Sequence, residues 1–279
     1  MIQGVQWLMR EQKMIGLIAG RGNLPVEVLA EIKRREAVSV VVGVKGEAIP
    51  ELSQLAVHYR ELAVGHLGEV IDFLKSYPIH EVVMAGKVGK EALFHGGFDT
   101  KLQQLLQNLP EKNDDAILLA IVNEFEKNGL SVAKQTNYLK ALMAKPGPVI
   151  GEITPGELAD IKLGFRMAKA IGGLDIGQSV VVKQGVVLAV EAIEGTDQAI
   201  IRGGKLGGGG AAVVKVSKPK QDERFDVPTI GKSTIESMIS AGVSVLGIEA
   251  DKTIITEEKQ LYELASMNKI KIIAVSEDL

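Results

Sequence analysis

Short apolar runs that end in glycine constrain the fold of this chain most strongly. Residues 14–19 (MIGLIA), 38–44 (VSVVVGV) and 82–85 (VVMA) are almost wholly apolar, which is typical of strands covered on both faces. The first run leads into residues 20–25 (GRGNLP), and an apolar–polar pattern of helical period follows. Strand, glycine turn and helix are the opening of a doubly wound α/β fold. The first half is therefore predicted to be Rossmann-like, with a parallel sheet.

The second half of the sequence has a different pattern. Residues 155–171 are helical by period, whereas 180–183 and 186–190 are β-rich runs separated by a Gln-Gly pair. Two such runs around a tight turn predict an antiparallel hairpin. Because a hairpin and helices occur together, we predict a mixed α+β domain.

The boundary between these halves is predicted at a run rich in proline and glycine, residues 145–148 (KPGP). A chain of 279 residues is long for one core and comfortable for two domains. We therefore predict an N-terminal domain at 14–142 and a C-terminal domain at 143–279, the latter carrying the charged motif QDERFDVP at 221–228.

Composition excludes several classes of function. With 46% hydrophobic and 24% charged residues the chain is typical of a globular protein, and its net charge of −3 provides no basic field for nucleic acid. The absence of cysteine excludes disulfides, thiol nucleophiles and cysteine-ligated zinc, and it fits a reducing cytoplasm. No apolar run approaches the roughly 20 residues that span a bilayer.

The turn after the first apolar run invites a comparison with dinucleotide-binding proteins. Their fingerprint needs a third glycine three positions after Gly22, where this chain has Pro25, and the second run is followed by Lys45 instead of an acidic residue. NAD binding is therefore not expected. Two alternatives stay open: a turn whose N–H groups bind an anion at the start of the helix, and a purely structural turn.

Two further patterns favour structural roles. Residues 113–115 (NDD) precede an apolar helix, which is typical of an N-cap with favourable placement in the helix dipole. The four histidines show no metal-ligand spacing, and no G-x-S-x-G motif is present for serine catalysis.

Residues 202–210 (RGGKLGGGG) are unusually rich in glycine. Such a run is costly in chain entropy unless backbone freedom or close approach is required. It is predicted to be either a flexible surface loop or a loop that contacts phosphate, since Thr196, Asp197 and Arg202 precede its glycines and Lys215 follows. It does not match the Walker motif, so a P-loop is excluded.

The charged stretch at residues 215–228 (KVSKPKQDERFDVP) follows a predicted strand and leaves it through a proline. Two carboxylates, Asp222 and Asp226, lie four positions apart around Arg224. This arrangement could hold a divalent metal beside a phosphate. A solvated loop of paired charges is the alternative, because most mixed-charge runs are of that kind.

From residue 14 onward the sequence resembles the UDP-2,3-diacylglucosamine pyrophosphatases of the LpxI type. The motifs that carry the likeness are GLIAGxGxLP at 16–25, GKV at 86–88, DDA at 114–116, ADI at 159–161, DIGQ at 175–178, AVEAIEGTD at 189–197 and KPxQDxRFDxP at 218–228, followed by Gly231 and Thr234. The chain departs from the family pattern at Asn113, where the family has glycine, and at Lys90-Glu91, where an Arg-Pro pair is usual.

The resemblance implies hydrolysis of UDP-2,3-diacylglucosamine in lipid A biosynthesis. Water attacks the α-phosphorus and gives UMP and 2,3-diacylglucosamine 1-phosphate (lipid X), with Mg²⁺ or Mn²⁺ required. It further implies a cytoplasmic homodimer that is peripheral to the inner membrane. A non-catalytic nucleotide or nucleotide-sugar binding module is the alternative, and a hydrolase of a different nucleotide diphosphate is a third.

Within this interpretation Asp222 and Asp226 are the expected catalytic residues and the candidate metal ligands. The expected substrate-binding residues, taken from the motifs and from the charge pattern, are Gly20, Gly22, Asn23, Asp115, Thr196, Asp197, Arg202, Lys215, Lys218, Gln221 and Arg224.

Overall fold

A computed structural model of the chain describes residues 12–89, 97–110 and 114–277. The chain divides into two compact units, the first ending at Tyr138 and the second beginning at Leu139. Among the described residues, no helix is both long enough and apolar enough to cross a bilayer.

The first unit is built on a parallel sheet, as the apolar runs predicted. Its described elements are β1 (Met14–Ala19), α1 (Leu24–Arg34), β2 (Val38–Val44), α2 (Leu52–Leu55), β3 (His58–Leu62), α3 (Leu67–Lys75), β4 (Ile79–Ala85), α4 (Thr100–Gln107), α5 (Asp114–Lys127), β5 (Ser131–Val132) and α6 (Gln135–Leu139). The strand order is β3-β2-β1-β4-β5, with every pairing parallel. The order reverses at β1 and β4, which is the position where doubly wound sheets bind ligands.

The second unit contains a mixed sheet, which confirms the α+β prediction. Its described elements are a 3₁₀ turn (Lys140–Leu142), β6 (Gly147–Ile150), α7 (Pro155–Gly173), β7 (Ser179–Lys183), β8 (Val186–Val190), α8 (Thr196–Gly207), β9 (Ala212–Lys215), β10 (Thr229–Ile230), α9 (Lys232–Ala241), β11 (Val245–Glu249), β12 (Ile254–Ile255), α10 (Glu258–Met267) and β13 (Lys271–Val275). The main sheet has the order β6-β13-β11-β9-β7-β8, and β10 pairs with β12.

Three strands at the centre of this sheet, β13, β11 and β9, are parallel, whereas β6, β7 and β8 pair antiparallel. The predicted hairpin is therefore confirmed as β7 and β8. Apolar cores cover both faces of the sheet. On one face Ile161 and Phe165 of α7 pack on the strands, and on the other face the buried residues include Ile200 of α8, Ile235 of α9 and Leu261 of α10.

The interpretation of residues 202–210 as a loop is wrong for its first part, because residues up to Gly207 belong to α8. A Cβ added at Gly203 would lie 2.6 Å from Val181 Cβ, and one added at Gly204 would lie 2.3 Å from the carbonyl oxygen of Ala241. These glycines therefore allow α8 to lie close against β7 and α9. Only Gly208–Gly210 form a turn, with φ values of 64°, 90° and 68°.

Candidate active site

The carboxyl edge of the parallel strands in the second unit gathers most of the predicted site residues. β9 ends at Lys215 beside Ser179, the first residue of the antiparallel β7, and the adjacent strand β11 ends at Glu249. Lys215 Nζ donates to the carbonyl oxygen of Thr229, 3.0 Å away, across the loop that follows β9. Ligands of open α/β sheets bind at this edge. We refer to residues 216–228 as the β9 loop.

A buried ion pair holds the start of the β9 loop. Lys169 Nζ, on α7, lies 2.7 Å from Glu249 Oε1 and 3.0 Å from the carbonyl oxygen of Ser217. The other carboxylate oxygen of Glu249 accepts the Ser217 N–H at 2.8 Å. The side chains of Lys169 and Glu249 are 19% and 5% exposed. Both backbone groups of Ser217 are therefore fixed by one charge pair.

Gln221 turns back onto the start of the loop. Its Oε1 accepts the Lys218 N–H at 2.7 Å and lies 3.1 Å from Ser217 Oγ. Its Nε2 is buried and has no partner among the described residues, and the same is true of Oε1 of Gln178, whose carbonyl oxygen accepts the Val216 N–H. A buried polar group without a partner costs about 1–3 kcal/mol. These two atoms are therefore positions at which a polar ligand or a water would be favourable.

The carboxylates of the β9 loop face cations of the same loop. Asp222 accepts from Arg224 through both oxygens, at 3.0 Å from Nε to Oδ1 and 2.7 Å from the terminal nitrogen to Oδ2. Asp226 Oδ2 lies 4.0 Å from Lys218 Nζ, which also donates to Asp175 Oδ1 at 2.7 Å. The loop is thus charge-paired, but it is half-buried and has a fixed conformation at its start.

Thr196 also reaches this edge, at the start of α8. Its Oγ1 donates to Glu191 Oε1 at 2.9 Å and lies 3.3 Å from Ser179 Oγ. Glu191 is buried, and its Oε2 accepts the N–H of Gln178 at 3.3 Å. Asp197 follows in the first turn of α8 and is half-buried. Thr196 therefore connects the helix to the segment that carries one of the two unpartnered polar atoms.

Arg202 lies elsewhere, on the exposed surface of α8. Its guanidinium donates to the carbonyl oxygen of Val190 at 2.7 Å and to Glu194 Oε1 at 2.5 Å. The hydrogen bond from Arg202 holds the pKa of the Glu194 carboxyl below its ordinary value. Arg202 thus binds the end of β8 and the segment that joins β8 to α8.

In the first unit, Gly20 lies where the turn after β1 contacts the turn after β4. Its N–H donates to the carbonyl oxygen of Ala85, and the following N–H, of Arg21, donates to that of Lys87. A Cβ at Gly20 would lie 2.5 Å from the same Lys87 oxygen. Because both N–H groups are already used, the geometry at Gly20 favours the structural turn over the anion-binding one.

The remaining predicted residues of the first unit lie at helix starts. Gly22 has φ of +95°, which explains the glycine. Asn23 Nδ2 lies 3.3 Å from Glu27 Oε1 at the start of α1, and Asp115 is in the first turn of α5. The positions where the chain departs from the family pattern, Lys90, Glu91 and Asn113, lie outside the described residues.

Sequence reasoning did not identify Lys169, Glu249 or the unpartnered atom of Gln178. A signal for Glu249 exists, since it is a lone carboxylate at the carboxyl end of an otherwise apolar run (VLGIE). Its partner on α7 lies 80 positions away. No local pattern connects the two.

A preformed metal cage is not present in the described parts of the chain, where no three His, Asp or Glu side chains are grouped to hold an ion. The carboxylate of Asp222 faces Arg224, and that of Asp226 faces Lys218. Mg²⁺ is often held by one or two carboxylates together with substrate phosphates. The donor set therefore fits an ion that the substrate itself helps to hold.

Two solved structures are similar to part of this chain. The biotin carboxylase subunit of pyruvate carboxylase matches with a TM-score of 0.27 and 12% identity, over 60% of this chain and 34% of that one. The biotin carboxylase domain of 2-oxoglutarate carboxylase from Hydrogenobacter thermophilus matches with a TM-score of 0.26 and 13% identity, over 62% and 35%. The chain thus spans about a third of each of these proteins.

Comparison with known protein sequences identifies the family of this chain. The LpxI N-terminal domain model matches residues 14–142, and the LpxI C-terminal domain model matches residues 147–273. A curated relative from Caulobacter vibrioides, UDP-2,3-diacylglucosamine pyrophosphatase LpxI, is 32% identical over 270 residues, which cover 91% of this chain and 94% of the relative. The two matched ranges include every segment that carries a family motif. The chain therefore belongs to the LpxI family, as its motifs predicted.

Proposed function

We propose that the protein hydrolyses the pyrophosphate bond of UDP-2,3-diacylglucosamine and releases UMP and 2,3-diacylglucosamine 1-phosphate for lipid A synthesis. The name of the relative from Caulobacter vibrioides supports the substrate. The observation that carries the chemistry is the β9 loop. It combines two carboxylates, two cations and the unpartnered Nε2 of Gln221 at the carboxyl edge of one sheet.

Pyrophosphate hydrolysis requires cations and donors where negative charge develops on the phosphoryl oxygens. Arg224 and Lys218 supply the cations, and Nε2 of Gln221 supplies a donor that has no partner among the described residues. The oxygen of water forms a bond to the α-phosphorus, and the bond from that phosphorus to the bridging oxygen breaks. UMP and the sugar phosphate are the two products.

A carboxylate of the loop accepts the proton of the attacking water. In the structure Asp222 accepts hydrogen bonds from Arg224 through both oxygens. A phosphate group that binds Arg224 competes for the same N–H donors. Substrate binding would thus release Asp222 to act as the base, while Asp226 stays beside Lys218.

A divalent ion, Mg²⁺ or Mn²⁺, is part of the proposal. It would be held by substrate phosphate oxygens together with Asp222 or Asp226, in keeping with the donor set of the loop. When bound, such an ion polarises the phosphoryl oxygens and neutralises their charge.

The proposed substrate also supports a location and an assembly. A lipid with two acyl chains resides in a membrane, so we propose that the protein works at the cytoplasmic surface of the inner membrane, without spanning it. We further propose a homodimer, which rests on the family resemblance alone. Light scattering on the purified protein tests the assembly, and a monomer at working concentrations would contradict it.

The test is release of UMP from UDP-2,3-diacylglucosamine, with and without EDTA, by the wild type and by Asp222→Asn. We expect Asp222→Asn to lower kcat by about 10²–10⁴-fold, the usual contribution of general acid–base catalysis. The matched control is Asp251→Asn, because Asp251 pairs with Lys145 at 2.9 Å on the exposed surface of the same unit. That variant should keep full activity.

Near-normal UMP release by folded Asp222→Asn would remove Asp222 from the mechanism. If the active wild type is insensitive to EDTA, the metal part of the proposal is wrong. UDP binding without any hydrolysis would instead favour the non-catalytic binding module.

A further inference from the structure

A cavity of about 190 Å³ opens within the first unit, at the carboxyl edge of its parallel sheet. Ile18 of β1 and Met84 of β4 line it and lie opposite each other in the sheet, at the point where the strand order reverses. Ile121 and Phe125 of α5 line the side formed by that helix, and Ala63 lies at the end of β3. The cavity therefore occupies the position at which doubly wound sheets bind ligands.

The lining of this cavity consists of aliphatic side chains together with Phe125. Packed protein interiors contain few voids larger than a water molecule. An apolar cavity of about 150 Å³ stays dry and takes up an apolar molecule such as benzene. A space of this size and lining therefore favours an apolar ligand over water.

We propose that this cavity binds an acyl chain. A nucleotide or sugar would leave its hydroxyl and amide groups without partners against such walls, which is unfavourable. A saturated hydrocarbon chain requires no hydrogen bonds and gains about fourfold in affinity for each methylene group that it buries. The link to the substrate rests on the proposed function, because UDP-2,3-diacylglucosamine carries two acyl chains.

The test measures displacement of a fluorescent fatty acid, cis-parinaric acid, from the full chain by fatty acids of increasing length from octanoate to myristate. The wild type should bind each longer acid more tightly until the cavity is full. Ala63→Trp fills the cavity and should weaken binding of every acid by about tenfold or more and remove the dependence on length. The matched control is Ala37→Trp, since Ala37 is also half-buried but precedes β2 at the opposite edge of the sheet.

Val64→Phe, also at the cavity, provides a second filling variant if Ala63→Trp unfolds by circular dichroism. The proposal is overturned if wild-type binding is independent of chain length, or if a folded filling variant binds as the wild type does. Displacement of the probe by acylated UDP-glucosamine, but not by the unacylated sugar nucleotide, assigns the cavity to the substrate. Displacement by free fatty acids alone supports an acyl-chain site but assigns it to another lipid.

The same variants separate this proposal from the proposed function. If fatty acids bind the wild type but no UMP is released from the substrate, the acyl-chain site is supported and the proposed hydrolysis is wrong. If Ala63→Trp releases UMP with an unchanged KM and no fatty acid binds the wild type, the proposed hydrolysis is supported and the acyl-chain site is wrong.

Discussion

Breaking the ion pair between Lys169 and Glu249 should reduce both stability and turnover. Glu249 accepts the ammonium of Lys169 through one oxygen and the Ser217 N–H through the other. In Glu249→Gln the side-chain amide presents one oxygen and one NH₂ group. It can accept only one of these bonds through its oxygen, and its NH₂ group faces a second donor. The start of the β9 loop thereby loses one of its two attachments.

The burial of the ion pair determines how much unfolding free energy Glu249→Gln should lose. Removing one partner of a buried pair costs about 3–5 kcal/mol when the other charge is left without compensation. The Lys169 side chain is 19% exposed and also lies 3.3 Å from Glu277 Oε1, so its charge keeps a partner in Glu249→Gln. We therefore expect the lower end of that range, about 3 kcal/mol. A displacement of the loop by about 1 Å is enough to reduce turnover by about 10²-fold.

Urea unfolding followed by circular dichroism gives the free energy, and UMP release well below the unfolding midpoint gives kcat. The control is Glu157→Gln, because Glu157 forms a similar pair with Lys271, at 2.8 Å, at the other edge of the same sheet. The control should lose stability without losing turnover. The double variant Lys169→Met/Glu249→Gln should be milder than the sum of the single variants, since the remaining amide can then accept from Ser217.

Two outcomes would refute this reasoning. An unfolding free energy of Glu249→Gln within about 0.5 kcal/mol of wild type would show that the ion pair does not contribute to stability as a buried pair should. A destabilised Glu249→Gln with unchanged kcat would reduce the pair to a structural contact.

Further predictions concern packing and acid stability. Gly204→Ala should destabilise the protein by about 1–3 kcal/mol, because its Cβ would lie 2.3 Å from the Ala241 oxygen. Gly156→Ala, whose Cβ would have no atom within 4 Å, should instead stabilise it by about 0.5–1 kcal/mol. Equal effects of the two variants in urea unfolding would contradict the packing argument. Burial alone would raise the pKa of Glu157, but hydrogen bonds from Lys271 and from Thr154 lower it overall from 4.5. The lowered pKa stabilises the fold above pH 4.5 and this contribution is lost as the pH falls through the folded-state value, so the unfolding free energy of Glu157→Gln should depend less on pH there than that of wild type.

Strands that are buried on both faces could be predicted from the sequence, whereas the edge strand β3 could not. β1 and β2 are almost wholly apolar, and their burial explains why the pattern was sufficient. β3 (HYREL) was missed because it lies at the edge of the sheet and keeps Arg60 and Glu61 exposed, with only Leu62 buried. Its pairing with β2 depends on tertiary context that no local pattern records.

The glycines of α8 illustrate a different failure. Glycine density has two physical causes, backbone freedom and close approach, and the sequence does not separate them. At Gly203 and Gly204 the cause is close approach, which only the positions of Val181 and Ala241 disclose. The loop that the density predicted is shortened to the three glycines with positive φ at residues 208–210.

The two ends of the β9 loop differ in a way that bears on the proposed mechanism. At the start of the loop, Ser217 forms two hydrogen bonds with the buried Lys169–Glu249 pair, and Gln221 binds Ser217 and Lys218. Farther along, Asp222 and Arg224 form an ion pair whose side chains are 27% and 23% exposed, and a phosphate that binds Arg224 competes with Asp222 for its N–H donors. In the proposed mechanism the fixed start of the loop positions the donors before substrate arrives, and phosphate binding at Arg224 would release Asp222. The charge pairing of the loop is therefore compatible with the proposed catalytic role, because the pairing and the catalysis would belong to different states of the same loop.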